Sequence, residues 1–134
     1  TQISKIKDIE KGGYIIYESS SEPQLVLLST GSEIATTLEA AKEIEKEISV
    51  RVVSMPCTER FDDQSPEYIK SVLGSTEFRI AIEASHVDWW RKYVGLKGAV
   101  IGMNSFGESA PGEVLAEHFG FTKDKIIEFI RERI

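Results

Sequence analysis

A chain of 134 residues with 41% hydrophobic and 28% charged side chains has the size and make-up of one globular domain with its own core. Its 16 Lys and Arg against 22 Asp and Glu leave a net charge of -6, which argues against a nucleic-acid surface. No run approaches the roughly 18 consecutive apolar residues of a membrane span, and the single cysteine, Cys57, excludes an internal disulfide and suits a reducing compartment.

Thr1–Lys11 alternates charge with isoleucine and reads as a linker or loosely held arm. It has no apolar stretch of the secretory kind, and the missing initiator Met suits a processed chain, a fragment or a cloned domain alike. After Gly12-Gly13, the β-branched and aromatic run Tyr14–Glu18 predicts a strand, which Ser19–Pro23 breaks. Leu25–Leu28 is apolar without alternation, the pattern of a strand covered on both faces. Thr30-Gly31-Ser32-Glu33 then turns the chain into a helix with an apolar stripe at Ile34, Leu38, Ala41, Ile44 and Ile48. Val50–Ser54 is the next strand, and the strand–helix–strand order predicts a parallel, right-handed crossover.

Ser65-Pro66-Glu67 supplies a cap, a proline at the first helical position and an acid in the first turn, for a helix ending near Leu73-Gly74. Arg79–Glu83 and Ala99–Gly102 read as strands, with a short helix over Val87–Val94, closed by Gly95, between them. A further helix spans Ser109 to about His118. The last, capped by Thr122, buries Ile126, Phe129 and Ile130. The outcome is a three-layer α/β fold in the manner of doubly wound domains.

Among these elements the Thr30–Glu33 turn attracts notice, because a glycine turn before a helix presents backbone N–H groups to an anion. One glycine is not a dinucleotide fingerprint, however, and Thr30 with Glu33 forms a capping box equally well, which is the preferred reading. His86 follows the strand ending at Glu83, where open α/β sheets place functional groups. Glu83, His86 and Asp88 therefore form a candidate acid–base or binding group that lacks a nucleophile at recognisable spacing. Thr30, Gly31, Ser32, Glu83 and His86 together make a candidate crevice for an anion. His118, near a helix end, suits the macrodipole, and Cys57 reads as an ordinary packed thiol. Asp62-Asp63 reads as solvated loop charge. Trp89, Trp90 and Tyr93 crowd one short helix and are candidates for an interface. No metal-ligand spacing is present.

Four stretches give the chain a resemblance to a known family. They are Leu27–Ile34, Val53–Asp62 with its Met55-Pro56-Cys57-Thr58-Glu59-Arg60-Phe61-Asp62, Ile82–Ala84 through Trp90 and Lys92–Gly95, and Ser105–Pro111 followed by His118–Thr122. In that order they resemble the C-terminal domain of transketolases over nearly the whole chain from Gly12. The β subunits of 2-oxoacid dehydrogenases and deoxyxylulose-phosphate synthases typically carry Pro-Leu-Asp after the corresponding strand, which is absent here. Ser85 departs from the glycine of many transketolases, a difference confined to one turn.

The resemblance implies an α/β/α sandwich on a five-stranded, mostly parallel mixed sheet whose first strand is antiparallel. It implies an arm over 1–11 and the family domain over 12–134. It further implies a cytoplasmic, homodimeric parent transferase of the pentose phosphate pathway, which moves a two-carbon ketol unit from a ketose phosphate to an aldose phosphate. That parent uses thiamine diphosphate with Mg or Ca, held by preceding domains of the same polypeptide. The Gly-Asp-Gly metal–diphosphate motif and the cofactor-activating Glu region are absent here, so no catalytic, cofactor-binding or metal residue is assigned. The chain is expected to be inactive alone and to serve inter-domain and dimer contacts. The rival is a stand-alone regulatory module that binds an anion or nucleotide at the Thr30–His86 crevice. Neither reading calls for nucleic acid or membrane.

Overall fold

A computed structural model describes residues 11–30, 33–83, 91–95, 97–102 and 123–134. Its strands are β1 (Tyr14–Glu18), β2 (Leu25–Ser29), β3 (Val50–Ser54), β4 (Arg79–Glu83) and β5 (Ala99–Gly102). Its described helices are α1 (Ile34–Ile44), α2 (Thr58–Asp62), α3 (Pro66–Leu73), α4 (Arg91–Val94) and α5 (Lys123–Arg131).

The strands form one sheet in the order β1-β3-β2-β4-β5. β1 runs antiparallel to β3 with a register shift between Ile15 and Tyr17, and every other pairing is parallel. All residues of β2 and β3 are buried, as an unalternating apolar strand between two helical layers requires. Side chains alternate between the faces. Leu25, Leu27, Val50, Val52, Ile80 and Ile82 pack under α1 and α5. Val26, Leu28, Val53 and Ala81 pack with Phe61 of α2, Val72 and Leu73 of α3, and Tyr93 and Val94 of α4. The expected three-layer sandwich with a mixed sheet is therefore observed.

Local signals explain most boundaries. Ser65 Oγ accepts from Tyr68 N at 3.2 Å and Pro66 opens α3, which Gly74 closes at φ +75°. The capping box read into Thr30 and Glu33 spans Gly31 and Ser32, which lie outside the described residues. Glu33 itself occupies the N-cap of α1 without a side-chain cap bond, and its amide donates to the Thr30 carbonyl at 3.2 Å. The helix stops at Ile44, so Ile48 reaches the core from the turn beyond it. In α5, Ile126 and Ile130 are buried as read from the sequence and Phe129 is partly buried against the core, while Ile127 joins the buried face. Helix α2 lies where the sequence was read as a loop, because five residues are too few to show a period. The helix over Ser109–His118, the Thr122 cap and the start of the helix at Val87 lie outside the described residues, as does the arm apart from Lys11.

Two arginines close one end of this sheet. In register, Val26 of β2 stands between Arg51 of β3 and Arg79 of β4, and Glu18 of β1 is opposite Arg51. Arg51 is only 5% exposed. Its Nε donates to Glu18 Oε2 at 2.8 Å, Nη1 to the Ser71 and Val72 carbonyls at 2.9 and 3.0 Å, and Nη2 to the Ser21 carbonyl at 3.1 Å. Arg79 donates to the carbonyls of Thr76, Gly74 and Tyr93 at 3.0, 2.8 and 2.9 Å. Burial lowers the Arg79 pKa, a shift that Glu77 partly opposes. Each guanidinium thus satisfies carbonyls left over where helices end, with a charge that suits those ends. Arg51→Met should cost about 3 kcal/mol in urea unfolding, because it removes a buried guanidinium that serves three carbonyls, that of Val72 buried, and one carboxylate; a loss below about 1 kcal/mol would show that the cluster is replaceable.

Candidate functional site

The crossover from β2 leads to β3 on one side, and the chain then returns across β2 to form β4 on its other side. The connections therefore diverge between β2 and β4, and open α/β sheets take up ligands outside the carboxyl ends of strands at such a point. Ser29 of β2 pairs with Ile82 of β4, so Thr30 and Glu83 are the next residues of the two strands. These are two of the five crevice residues named from the sequence, and the backbone brings them side by side. Gly31, Ser32 and His86 lie outside the described residues.

The floor of that edge is occupied by internal bonds. Ser29 Oγ donates to the Ile82 carbonyl at 3.1 Å, and Met55 N donates to the Ser29 carbonyl at 2.9 Å. Thr30 is half-buried. Cys57, at the carboxyl side of β3, is half-buried and free, and its amide donates to the Gly12 carbonyl at 3.0 Å. Among the described residues no group of three or more His, Cys, Asp or Glu side chains is placed to hold a metal ion.

A second group was missed in the sequence. Asp62, read as a solvated loop charge, ends α2 and accepts from Lys92 Nζ at 2.6 Å and from Tyr93 Oη at 2.7 Å. Burial alone would raise the Asp62 pKa, but the hydrogen bonds from Lys92 and Tyr93 and the lysine charge outweigh it, and the net shift is downward. The bond to Asp62 raises the Lys92 pKa. Tyr93 is pushed up to about 12, first by burial and then by its bond to Asp62. Tyr93, named as an interface candidate, has its ring inside the domain, 3% exposed and 6.0 Å from that of Phe61. Trp89 and Trp90 lie outside the described residues. Both acids are exposed at the end of the helix, as the sequence suggested, and what the sequence did not show is the bonding of Asp62 to Lys92 and Tyr93. Thirty residues separate Asp62 from Lys92, and no local pattern announces a contact of that range.

The chain is similar to known proteins over most of its length. The family model of the transketolase-like TK C-terminal domain matches residues 12–122. Transketolase 2 of Escherichia coli (strain K12) is 48% identical over 125 residues, covering 92% of this chain but 19% of that protein. The transketolase from Leishmania mexicana superimposes with a TM-score of 0.78 at 38% identity, over 95% of this chain and 18% of that one. For the transketolase from Campylobacter jejuni the TM-score is 0.77 at 36% identity, over 93% and 19%. The chain thus spans about a fifth of the length of the relatives it matches.

The Asp62 contact makes a pH-dependent prediction. A carboxyl whose pKa is lowered on folding stabilises the fold above its unfolded value, here the ordinary 3.8, and that contribution fades as pH falls through the folded value. Asp62→Asn should lower stability by about 1 kcal/mol at pH 7, a modest figure because both partners are partly solvated. The gap to the unaltered chain should close in acid below the ordinary aspartate range. A gap constant from pH 7 to pH 2 in denaturant titrations would refute the charge-based account.

Proposed function

The chain belongs to the transketolase C-terminal domain family, and from that premise we propose that it is the closing domain of a longer, thiamine-diphosphate-dependent transketolase. The parent enzyme transfers a two-carbon ketol unit between sugar phosphates of the pentose phosphate pathway. Thiamine diphosphate with Mg or Ca supplies the carbanion chemistry on domains that precede this one. The parent is a homodimer in the cytoplasm. This domain contributes no reacting group and works by contact, buttressing the domain before it and adding to the dimer interface.

One observation carries the reading: the family match runs over 12–122, in a chain that covers only about a fifth of the transketolases it resembles. The geometry is in keeping with it. Ser29 Oγ at the β2–β4 edge bonds within the domain, and the Asp62 carboxylate, which could otherwise serve as a base, is held by Lys92 and Tyr93.

A second reading, a regulatory module for a phosphate-bearing ligand, is favoured by the adjacency of Thr30 and Glu83 at the divergence of the connections. The two readings separate in calorimetric titrations of this chain with sugar phosphates and nucleotides. A contact domain should give no saturable heat with any of them. Micromolar binding that Thr30→Ala weakens at least tenfold would establish the ligand module instead.

A further inference from the structure

The chain joins the fold at Lys11–Gly13, and the packing there is tighter than a flexible linker requires. Gly12 is buried at φ +86°, a backbone conformation that L side chains rarely adopt, and a Cβ on it would collide with the Cys57 carbonyl and crowd Phe61 N at 2.5 Å. Gly13 is also buried, and a Cβ there would meet Met55 Sδ at 2.5 Å and Phe61 Cδ1 at 2.7 Å. The missing side chains let the backbone lie directly against α2.

Hydrogen bonds then fix it in place. Cys57 N donates to the Gly12 carbonyl at 3.0 Å, and Tyr68 Oη of α3 donates to the Gly13 carbonyl at 2.8 Å. One residue earlier, the Lys11 ammonium sits 4.4 Å from the centre of the Tyr68 ring, within cation–π range. Phe61, fully buried, carries the contact onward: its ring centre is 6.2 Å from that of Tyr68 and 6.0 Å from that of Tyr93. Three consecutive residues are thereby tied to α2 and α3, and through Phe61 to α4.

We propose that Lys11–Gly13 is a rigid joint, which sets the direction of the polypeptide ahead of it so that this domain and the one before it turn as a single body. A hinge would need backbone freedom at the point where the domain begins. Here the two glycines, the residues with most freedom in isolation, are hemmed in by Met55, Cys57 and Phe61. The presence of a domain ahead of the joint rests on the function proposed above; the clamping of Lys11–Gly13 does not.

Trypsin cleaves after Lys11 only if that bond can leave its seat, so the cleavage rate reads the joint directly. In the unaltered chain, cleavage after Lys11 should be at least tenfold slower than after Lys7. Tyr68→Phe, which deletes the bond to Gly13 and keeps the ring, should speed it about tenfold with an unchanged circular dichroism spectrum. Gly12→Ala should do so more strongly, and if that variant fails to fold, Tyr68→Phe alone decides. Equal rates at Lys7 and Lys11, or no response to Tyr68→Phe, would overturn the clamp. In the longer polypeptide, the distance distribution between a label replacing the exposed Glu128 and one on the preceding domain should be narrow and should at least double in width on Tyr68→Phe. A broad distribution in the unaltered protein would overturn the single-body claim. Should the natural product prove no longer than this chain, the proposed function would fall while the Lys11 cleavage rates still judge the clamp.

Discussion

Phe61 occupies space that side chains at Gly12 and Gly13 would need, and much of the second layer is arranged around that exclusion. The ring is fully buried and meets Tyr68 and Tyr93, so the beginning of the domain, the connection after β3, helix α3 and helix α4 share one centre of packing. Aromatic contacts of this kind add about 1 kcal/mol each beyond the area they bury. Their larger effect is geometric, since a close-packed neighbourhood has few alternative arrangements. With Phe61 seated, Asp62 next to it falls within reach of Lys92 and Tyr93, and α4 is held where the polypeptide approaches β5.

The opposite end of the sheet is organised by charge instead. Arg51 and Arg79 flank Val26 and spend their donors on carbonyls at the ends of α3 and α4 and in adjoining turns. A guanidinium has several donors in a fixed plane, so one side chain can gather carbonyls from separate elements. Several conspicuous polar groups of the domain, Arg51, Arg79, Asp62 and Ser29, thus serve its own backbone or one another. Such a distribution fits a domain that provides surface and rigidity to a larger enzyme.

The strands were legible because each is a short run rich in β-branched or apolar residues, most of them bounded closely by Gly, Pro or Ser. β1, β3, β4 and β5 begin and end at the residues anticipated, and β2 extends one residue further, to Ser29. Helix α3 was equally legible through Ser65-Pro66, while α2 was hidden by its length. The antiparallel place of β1 came from family resemblance, since a five-residue strand carries no mark of its direction. The candidate crevice was legible as a position: Thr30 follows β2, and Glu83 ends the adjacent β4. The uses of Asp62, Arg51 and Gly12-Gly13 were not, because each depends on a partner 20 or more residues away in the chain.

A domain that works through contact alone should hold no part of the reaction. The most direct measurement is a two-carbon transfer assay on the purified 134-residue chain, supplied with thiamine diphosphate, Mg, a ketose phosphate donor and an aldose phosphate acceptor. A contact domain should give no product above the protein-free control at any chain concentration. Turnover that rises in proportion to the chain would contradict that role and would require reacting groups within these residues.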